Sequence, residues 1–203
     1  GSALTAGGSI SGFVTPTDGE QETATFTVTG SQTTVGSSSN TYSLTWDGTA
    51  TESDYTLNPT LGTLTVTAST TELKVVSADG EWTYDGDAHT KYEYTVTYGD
   101  ESYTVTIAEG ETSGTATLST KDVVTITPAE AATITHVDDS DVDNAFTYSV
   151  TNSAQYSSQE KEEGTLKVTP ATLTITTESA SREYNGSALT AGGSISGFVT
   201  PTD

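Results

Sequence analysis

Residues 23–29 read Thr-Ala-Thr-Phe-Thr-Val-Thr, so that apolar residues alternate with threonines. A period of two sends successive side chains to opposite faces of an extended chain, and this predicts a β-strand with one buried and one wetted face. Threonine suits such a strand because its β-branched side chain favours extended backbone while its hydroxyl tolerates water. The stretch therefore predicts a half-buried strand.

The same alternation recurs at residues 61–67, 92–98, 103–107 and 166–176. Asp-Gly and Asn-Gly pairs lie between the alternating stretches, and this residue order is typical of tight turns that need positive φ. The one helix candidate, residues 128–132, is a single turn long. The sequence therefore predicts an all-β fold of tandem, elongated β-sandwich modules that are Ig-like.

The composition agrees with thin sandwiches. The chain has 203 residues, enough for one large or two ordinary domains, but only 32% of them are hydrophobic. That fraction is low for a single thick core and suits two-layer sandwiches in which each strand buries one face. Cysteine is absent, so no disulfide can staple the fold.

The charge balance excludes some partners. The chain carries 28 acidic and 6 basic residues, a formal net charge of -22, and no Lys or Arg precedes Lys74. Such a surface repels phosphate backbones and anionic membranes, so we expect neither nucleic-acid nor membrane binding. No apolar run approaches membrane-spanning length and no signal peptide opens the chain, so export and anchoring signals are expected outside these residues.

The chain repeats itself. Residues 1–18, GSALTAGGSISGFVTPTD, recur letter for letter as residues 186–203, which gives a period of 186 − 1 = 185 residues. A weaker match relates residues 82–90 to 182–190 and residues 62–67 to 164–169. Such internal repetition indicates a duplicated array built from two diverged modules.

The matches predict three segments. Residues 68–169 form a complete β module, residues 1–67 a module that lacks its first strand, and residues 170–203 the first strand and start of the next module. The strand that carries Leu173 and Ile175 could complete residues 1–67 of another copy by strand donation, which would build a head-to-tail fibre. The alternative is that the 203 residues are one stretch of a longer ordered array.

The order of these features resembles a known family. An opening strand, a Tyr-Asp/Asn-Gly turn at residues 84–86 and 184–186, the segment Val-Gly-Ser-Ser-Ser-Asn-Thr-Tyr at residues 35–42 and a closing Gly-Thr-Leu-x-Val-Thr strand occur in sequence. Together they resemble the MBG/YDG-type tandem repeats of large Gram-positive surface proteins. The resemblance implies an adhesin-like, cell-wall-attached parent protein on the bacterial cell surface, and no enzymatic activity.

One dense acidic cluster is a candidate metal site. Asp139, Asp141 and Asp143 alternate along residues 138–144 and could supply several oxygens to Ca²⁺. The cluster lacks the central Gly and terminal Glu of the best-known calcium loop. A solvated acidic turn is the alternative reading, and no other cofactor is predicted.

Lys74 is a candidate for a covalent cross-link. Surface stalks often lock their first strand by an isopeptide bond from Lys to Asn with the help of a buried acid, and the candidates are Asn144 or Asn152 with Glu93. The spacing does not select among them, and an exposed, solubilising lysine is the alternative.

These features lead to one functional hypothesis and one alternative. The first is a structural stalk, or spacer, that holds the binding part of a surface adhesin away from the cell, with neighbouring modules of the same protein as partners. The alternative is a module that binds a host glycan or host protein. A glycosidase would need two carboxylates about 5–10 Å apart in a cleft, which thin sandwiches rarely supply, so we expect no enzyme and no catalytic residues.

Overall fold

The structure, a computed structural model, describes residues 2–17 and 19–200. It is nearly all β, with sixteen short strands and three single 3-10 turns, which confirms that the fold is all-β. No described helix is long and apolar enough to cross a membrane. The strands are β1 (Thr25–Val28), β2 (Gly36–Ser39), β3 (Tyr42–Thr45), β4 (Thr63–Val66), β5 (Leu73–Ser77), β6 (Gly80–Thr83), β7 (Glu93–Tyr98), β8 (Glu101–Thr106), β9 (Gly114–Thr117), β10 (Val123–Pro128), β11 (Val142–Asp143), β12 (Phe146–Val150), β13 (Gln159–Glu162), β14 (Thr165–Thr169), β15 (Thr174–Thr177) and β16 (Gly193–Ser196). The 3-10 turns are Glu52–Asp54, Val137–Asp139 and Ser153–Gln155.

The chain divides into two compact units. Unit 1 comprises Gly1–Thr71 with the two short segments Ser119–Lys121 and Asn152–Ser158. Unit 2 comprises Glu72–Leu118, Asp122–Thr151 and Gln159–Asp203.

Unit 1 contains two separate two-stranded sheets. β1 pairs antiparallel with β3, and β2 pairs antiparallel with β4. The alternation of residues 23–29 appears in β1, where Thr25 is exposed and Phe26 is half-buried, with its ring centroid 5.7 Å from that of Tyr42. Because each sheet has only two strands, each covers little apolar surface.

Unit 2 contains larger sheets. β5 and β7 lie at the centre of a four-stranded sheet in the order β13-β5-β7-β8, in which β13 runs parallel to β5. Two three-stranded sheets, β12-β10-β9 and β11-β14-β6, complete this part of the unit. The parallel pairs, β13 with β5 and β14 with β6, join strands that are far apart in sequence.

The apolar core lies mainly between residues 72 and 169. Seventeen of the nineteen buried hydrophobic residues fall there, two fall in the described part of residues 1–67, and none falls in residues 170–200. Phe146 packs edge-on against Tyr94 with ring centroids 5.2 Å apart, and Leu73 and Val75 of β5 are fully buried. One face of β5 therefore contributes its apolar side chains to the core.

A buried polar cluster ties three parts of unit 2 together. The Asn144 side chain is fully buried and donates hydrogen bonds to the main-chain oxygens of Lys91 (2.7 Å) and Ala78 (2.8 Å). The Ser77 hydroxyl donates to the Asn144 carbonyl at 2.7 Å and accepts from the Gly164 N–H at 2.9 Å. A side chain at position 164 is excluded, since its Cβ would lie 2.6 Å from the main chain of Ser77 and Ala78.

Replacing Asn144 tests the contribution of this cluster. Asn144→Ala leaves two buried carbonyls without their donor, and we expect the free energy of unfolding to fall by roughly 2–4 kcal/mol. The exposed Asn58 is the matched control, and Asn58→Ala should change stability by less than about 0.5 kcal/mol. Urea denaturation of both variants measures the difference, and equal stabilities would contradict the role given to Asn144.

Tyr94 has an unusual environment for a phenol. Its side chain is buried, and its hydroxyl has no hydrogen-bond partner among the described residues. Burial, with a smaller effect of Tyr92, raises the pKa of Tyr94 to about 12 from its ordinary value of 10.0. The folded protein therefore holds the phenol proton to higher pH than the unfolded chain does, and ionisation favours unfolding.

Tyr94→Phe should remove an unpaired buried hydroxyl without loss of a hydrogen bond. We expect the free energy of unfolding at neutral pH to rise by on the order of 1 kcal/mol. The variant should also lack a stability loss that the unaltered chain shows as pH rises from the ordinary pKa of 10.0 towards about 12. Denaturation across alkaline pH measures both effects, with Tyr184→Phe, at a 97% exposed side chain, as control. If the free energy of unfolding fell equally with pH in the unaltered chain and in both variants, the role given to Tyr94 would be wrong.

Candidate functional site

An exposed strand pair is the most unusual feature of the molecule. β15 pairs antiparallel with β16, with Ile175 opposite Ile195, and neither strand has a second partner among the described residues. Every residue from 172 to 198 is exposed. We call residues 172–198 the ribbon. Its apolar side chains include Ile175 (73% exposed) and Phe198 (68% exposed).

The ribbon reproduces a pair that is covered elsewhere in the chain. β5 pairs with β7 as β15 pairs with β16, and Lys74↔Thr97 and Val75↔Val96 correspond to Thr174↔Ser196 and Ile175↔Ile195. Val75 is fully buried in unit 2, whereas Ile175 is 73% exposed. Corresponding strands are therefore buried in the core at β5 and exposed at β15.

The two copies of the eighteen-residue segment, residues 1–18 and 186–203, differ in secondary structure and in contacts. In the second copy, residues 193–196 form β16, whereas in the first copy the corresponding residues 8–11 form no strand. In the first copy Phe13 packs on Tyr55, with ring centroids 5.5 Å apart, and the Val14 N–H donates to the Tyr55 hydroxyl at 3.0 Å. The same segment therefore has different partners in its two copies.

Asn40 in unit 1 corresponds by sequence match to Asn144 in unit 2. Its backbone N–H donates to the Gly62 carbonyl at 2.8 Å, as that of Asn144 donates to Gly164 at 2.7 Å. Among the described residues its side-chain nitrogen reaches the Gly7 and Ala6 carbonyls, at 3.3 and 3.4 Å, and Asn40 is half-buried rather than fully buried. The Asn144 side chain thus has shorter contacts than the Asn40 side chain.

The acidic cluster forms a capped turn. The Asp139 carboxylate accepts hydrogen bonds from the main-chain N–H groups of His136 (2.7 Å) and Thr135 (3.3 Å), and the His136 contact is the main reason why the pKa of Asp139 is lowered. Asp141 lies after the turn, and Asp143 lies in β11. Among the described residues no three His, Cys, Asp or Glu side chains come together to hold a metal ion, and calcium binding stays a prediction.

The isopeptide candidates are not brought together. Lys74 pairs with Glu162 at 2.5 Å, and Glu93 pairs with Lys91 at 2.8 Å. Asn144 uses both side-chain N–H groups on main-chain carbonyls, and Asn152 precedes a 3-10 turn in left-handed conformation. The contact with Glu162 raises the pKa of Lys74, so the amine stays protonated and is a poor nucleophile.

A shallow groove lies on unit 2 and was not predicted from the sequence. It has a volume of ≈ 680 Å³ and is lined by Trp82, Lys91, Tyr92, Glu93 and Glu109, among others. The indole of Trp82 stacks on His89 at a centroid distance of 4.8 Å, and its far edge covers Gly80. His89 therefore covers one face of the Trp82 ring, and Gly80 lies against its far edge.

Sequence reasoning also missed Asn144, Ser77 and Asn40 as a structural set. The signal was present in the match between the segments that begin at Asn40 and Asn144. That match indicates a repeat but not burial, because a polar residue at a strand end normally predicts a solvated turn.

Comparison of the chain with protein-family models, with curated proteins and with solved structures found no match in any of the three. The resemblance to MBG/YDG-type repeats stays a prediction.

The intact mass of the chain tests the cross-link. We expect the full mass of the sequence with no loss of ammonia, because Lys74 lies against Glu162 and the Asn144 amide is held by two carbonyls. High-resolution mass spectrometry measures this directly. A loss of one ammonia that disappears in Lys74→Ala would contradict the expectation and establish the isopeptide bond.

Proposed function

We propose that this chain is a stalk, or spacer, of a bacterial cell-surface adhesin, built from tandem β modules that are completed across its repeat boundary. The observation that carries the proposal is the repeated strand pairing, together with the position of the exposed apolar side chains. Among the described residues, ten of the eleven large, exposed hydrophobic residues lie in residues 1–67 or 170–200, and one lies in the segment between. Exposed apolar surface of this kind normally marks an interaction site.

The strand pairings support a repeated module. β1 pairs with β3 as β10 pairs with β12, and β2 pairs with β4 as β11 pairs with β14. The described residues 2–17 and 19–67 form no strand that corresponds to β5 or β6, whereas residues 170–183 have a sequence that matches those strands. In a longer array the ribbon would be the start of the module that follows.

Charge and junction length favour a spacer. The formal net charge of -22 keeps neighbouring stalks apart, and the junctions at residues 68–71 and 170–171 are short, without a flexible Gly/Ser linker. Short junctions limit bending between modules, so the number of copies would set the reach of the stalk. Attachment to the cell wall and export belong to the same proposal and would require parts outside these residues.

The shallow groove favours the second candidate, a module that binds a host glycan or protein. Aromatic and carboxylate side chains, here Trp82, Tyr92 and Glu109, are the usual lining of sugar sites. The stacking of Trp82 on His89 weighs against it, because the ring face in that stack is already covered.

Scattering from arrays of one to four 185-residue units tests the spacer. For a stiff stalk the maximum dimension should grow in proportion to the number of units, whereas a flexible chain of modules grows roughly as its square root. The matched control carries a Gly/Ser insertion at residues 170–171. Its maximum dimension should grow only roughly as the square root of the number of units.

A glycan array probed with the same arrays separates the two candidates. The spacer should bind no glycan above background. Specific binding that Trp82→Ala abolishes would overturn the spacer in favour of a binding module. Flexible growth of the unaltered arrays would overturn the stiff spacer without favouring binding.

A further inference from the structure

The shallow groove of unit 2 contains an aromatic ring and a carboxylate that are available to a ligand. We propose that this groove binds an arginine side chain of a partner polypeptide, with the guanidinium stacked on Tyr92 and paired with the Glu109 carboxylate. The residues that line the groove lie between positions 82 and 110, within unit 2. The inference goes beyond the proposed function, because a spacer can carry such a site on its side and its stiffness does not depend on it.

The pairing of β7 with β8 brings the ring and the carboxylate to the same groove. The two strands pair antiparallel as far as Glu93↔Thr106, and the Ile107 N–H donates to the Tyr92 carbonyl at 3.0 Å, which extends the ladder by one residue. Tyr92 therefore lies opposite Ile107, which is buried and lines the groove. Glu109 is two residues beyond Ile107, and side chains at such diagonal positions are about 7–8 Å apart, within reach of long residues.

The charges of the lining favour a cation. Lys91 Nζ lies 2.8 Å from Glu93 Oε1, so these two groups compensate each other. Glu109 is exposed and forms no ion pair or side-chain hydrogen bond among the described residues. The groove thus presents a further negative charge, in a chain whose formal net charge is -22. Such a field attracts cationic ligands and repels anionic ones.

Tyr92 supplies the aromatic surface. Its side chain is half-buried and makes no ring contact or hydrogen bond within the part of the chain that the structure describes, whereas Trp82 stacks on His89. A cation over such a ring is attracted by the negative face of the π system. A planar guanidinium can stack on the ring and still bond a carboxylate through two N–H groups, which the compact, strongly hydrated ammonium of lysine cannot do. Arginine therefore suits this lining better than lysine.

The size of the groove indicates a peptide segment. Its volume of ≈ 680 Å³ is more than one side chain fills, so residues on either side of the arginine have room. Gly110 stands at the rim with φ +86°, and no described atom lies within 4 Å of the position that a Cβ would take there. The groove is thus open beside Gly110.

Calorimetric titration of the full chain with a blocked Gly-Arg-Gly peptide tests the proposal. We expect saturable binding that is about tenfold tighter than that of the same peptide with citrulline, which has nearly the same shape but no charge. The lysine peptide should bind more weakly than the arginine peptide. Affinity for the arginine peptide should fall as ionic strength rises, because salt screens the attraction.

Variants of the groove separate the two contacts. Glu109→Gln should weaken binding by about tenfold. Glu111→Gln is the matched control, because it removes the same charge from an exposed residue outside the groove lining and should change affinity by less than about twofold. Tyr92→Leu should weaken binding by about fivefold, whereas Tyr92→Phe keeps the ring and should bind like the unaltered chain. Circular dichroism checks each fold, and the two glutamate variants test the site independently of the ring.

Each outcome decides the proposal. Absence of arginine-peptide binding, or equal binding of the citrulline or lysine peptide, overturns it. So does an equal loss of affinity in Glu109→Gln and Glu111→Gln, which would show that only the general field of the chain attracts the peptide. These results leave the scattering of the arrays untouched. Flexible growth of the arrays would overturn the stiff spacer and leave the groove standing.

Discussion

The core of unit 2 depends on β5, which is paired along both edges. It hydrogen-bonds to β13 along one edge and to β7 along the other, and its Leu73 and Val75 side chains are fully buried. A buried extended segment has no water to bind its N–H and C=O groups, so it needs neighbouring strands on both edges. Ser77 and Asn144 add buried hydrogen bonds that fix where β5 ends.

The rest of the chain buries much less apolar surface. Residues 1–67 form the pairs β1–β3 and β2–β4, and among their described hydrophobic residues only Ala50 and Leu64 are buried. In the ribbon, β15 pairs along one edge only among the described residues. A small, threonine-rich unit has little apolar surface to spare, so two-stranded sheets build only a thin core.

Much of the fold followed from the alternation of apolar residues. Residues 23–29 contain β1, residues 61–67 contain β4, and residues 92–98 contain β7. The alternation over residues 166–176 continued through Pro170, where the structure instead has a break between β14 and β15. Proline lacks an N–H, so it interrupts a ladder that side-chain periodicity alone would continue.

The candidate site was only partly predictable. The sequence predicted Leu173 and Ile175 because the repeat match indicates a first strand at this position. The acidic residues 139, 141 and 143 and the residues around Lys74 were chosen by residue type, and the structure places them in a capped turn and in surface ion pairs. Residue type indicates which chemistry is possible, but convergence of side chains depends on contacts between segments far apart in the chain.

The sequence by itself determined that the chain is β throughout, that residues 1–18 recur as 186–203, and that its surface is strongly acidic. These properties are local or compositional, since alternation, sequence identity and charge do not depend on contacts between distant segments of the chain. Only the tertiary structure decided that β5 and β6 pair in parallel with β13 and β14, and that Asn144 is buried at their junction. Parallel pairing joins strands more than eighty residues apart, and no nearby turn fixes its register.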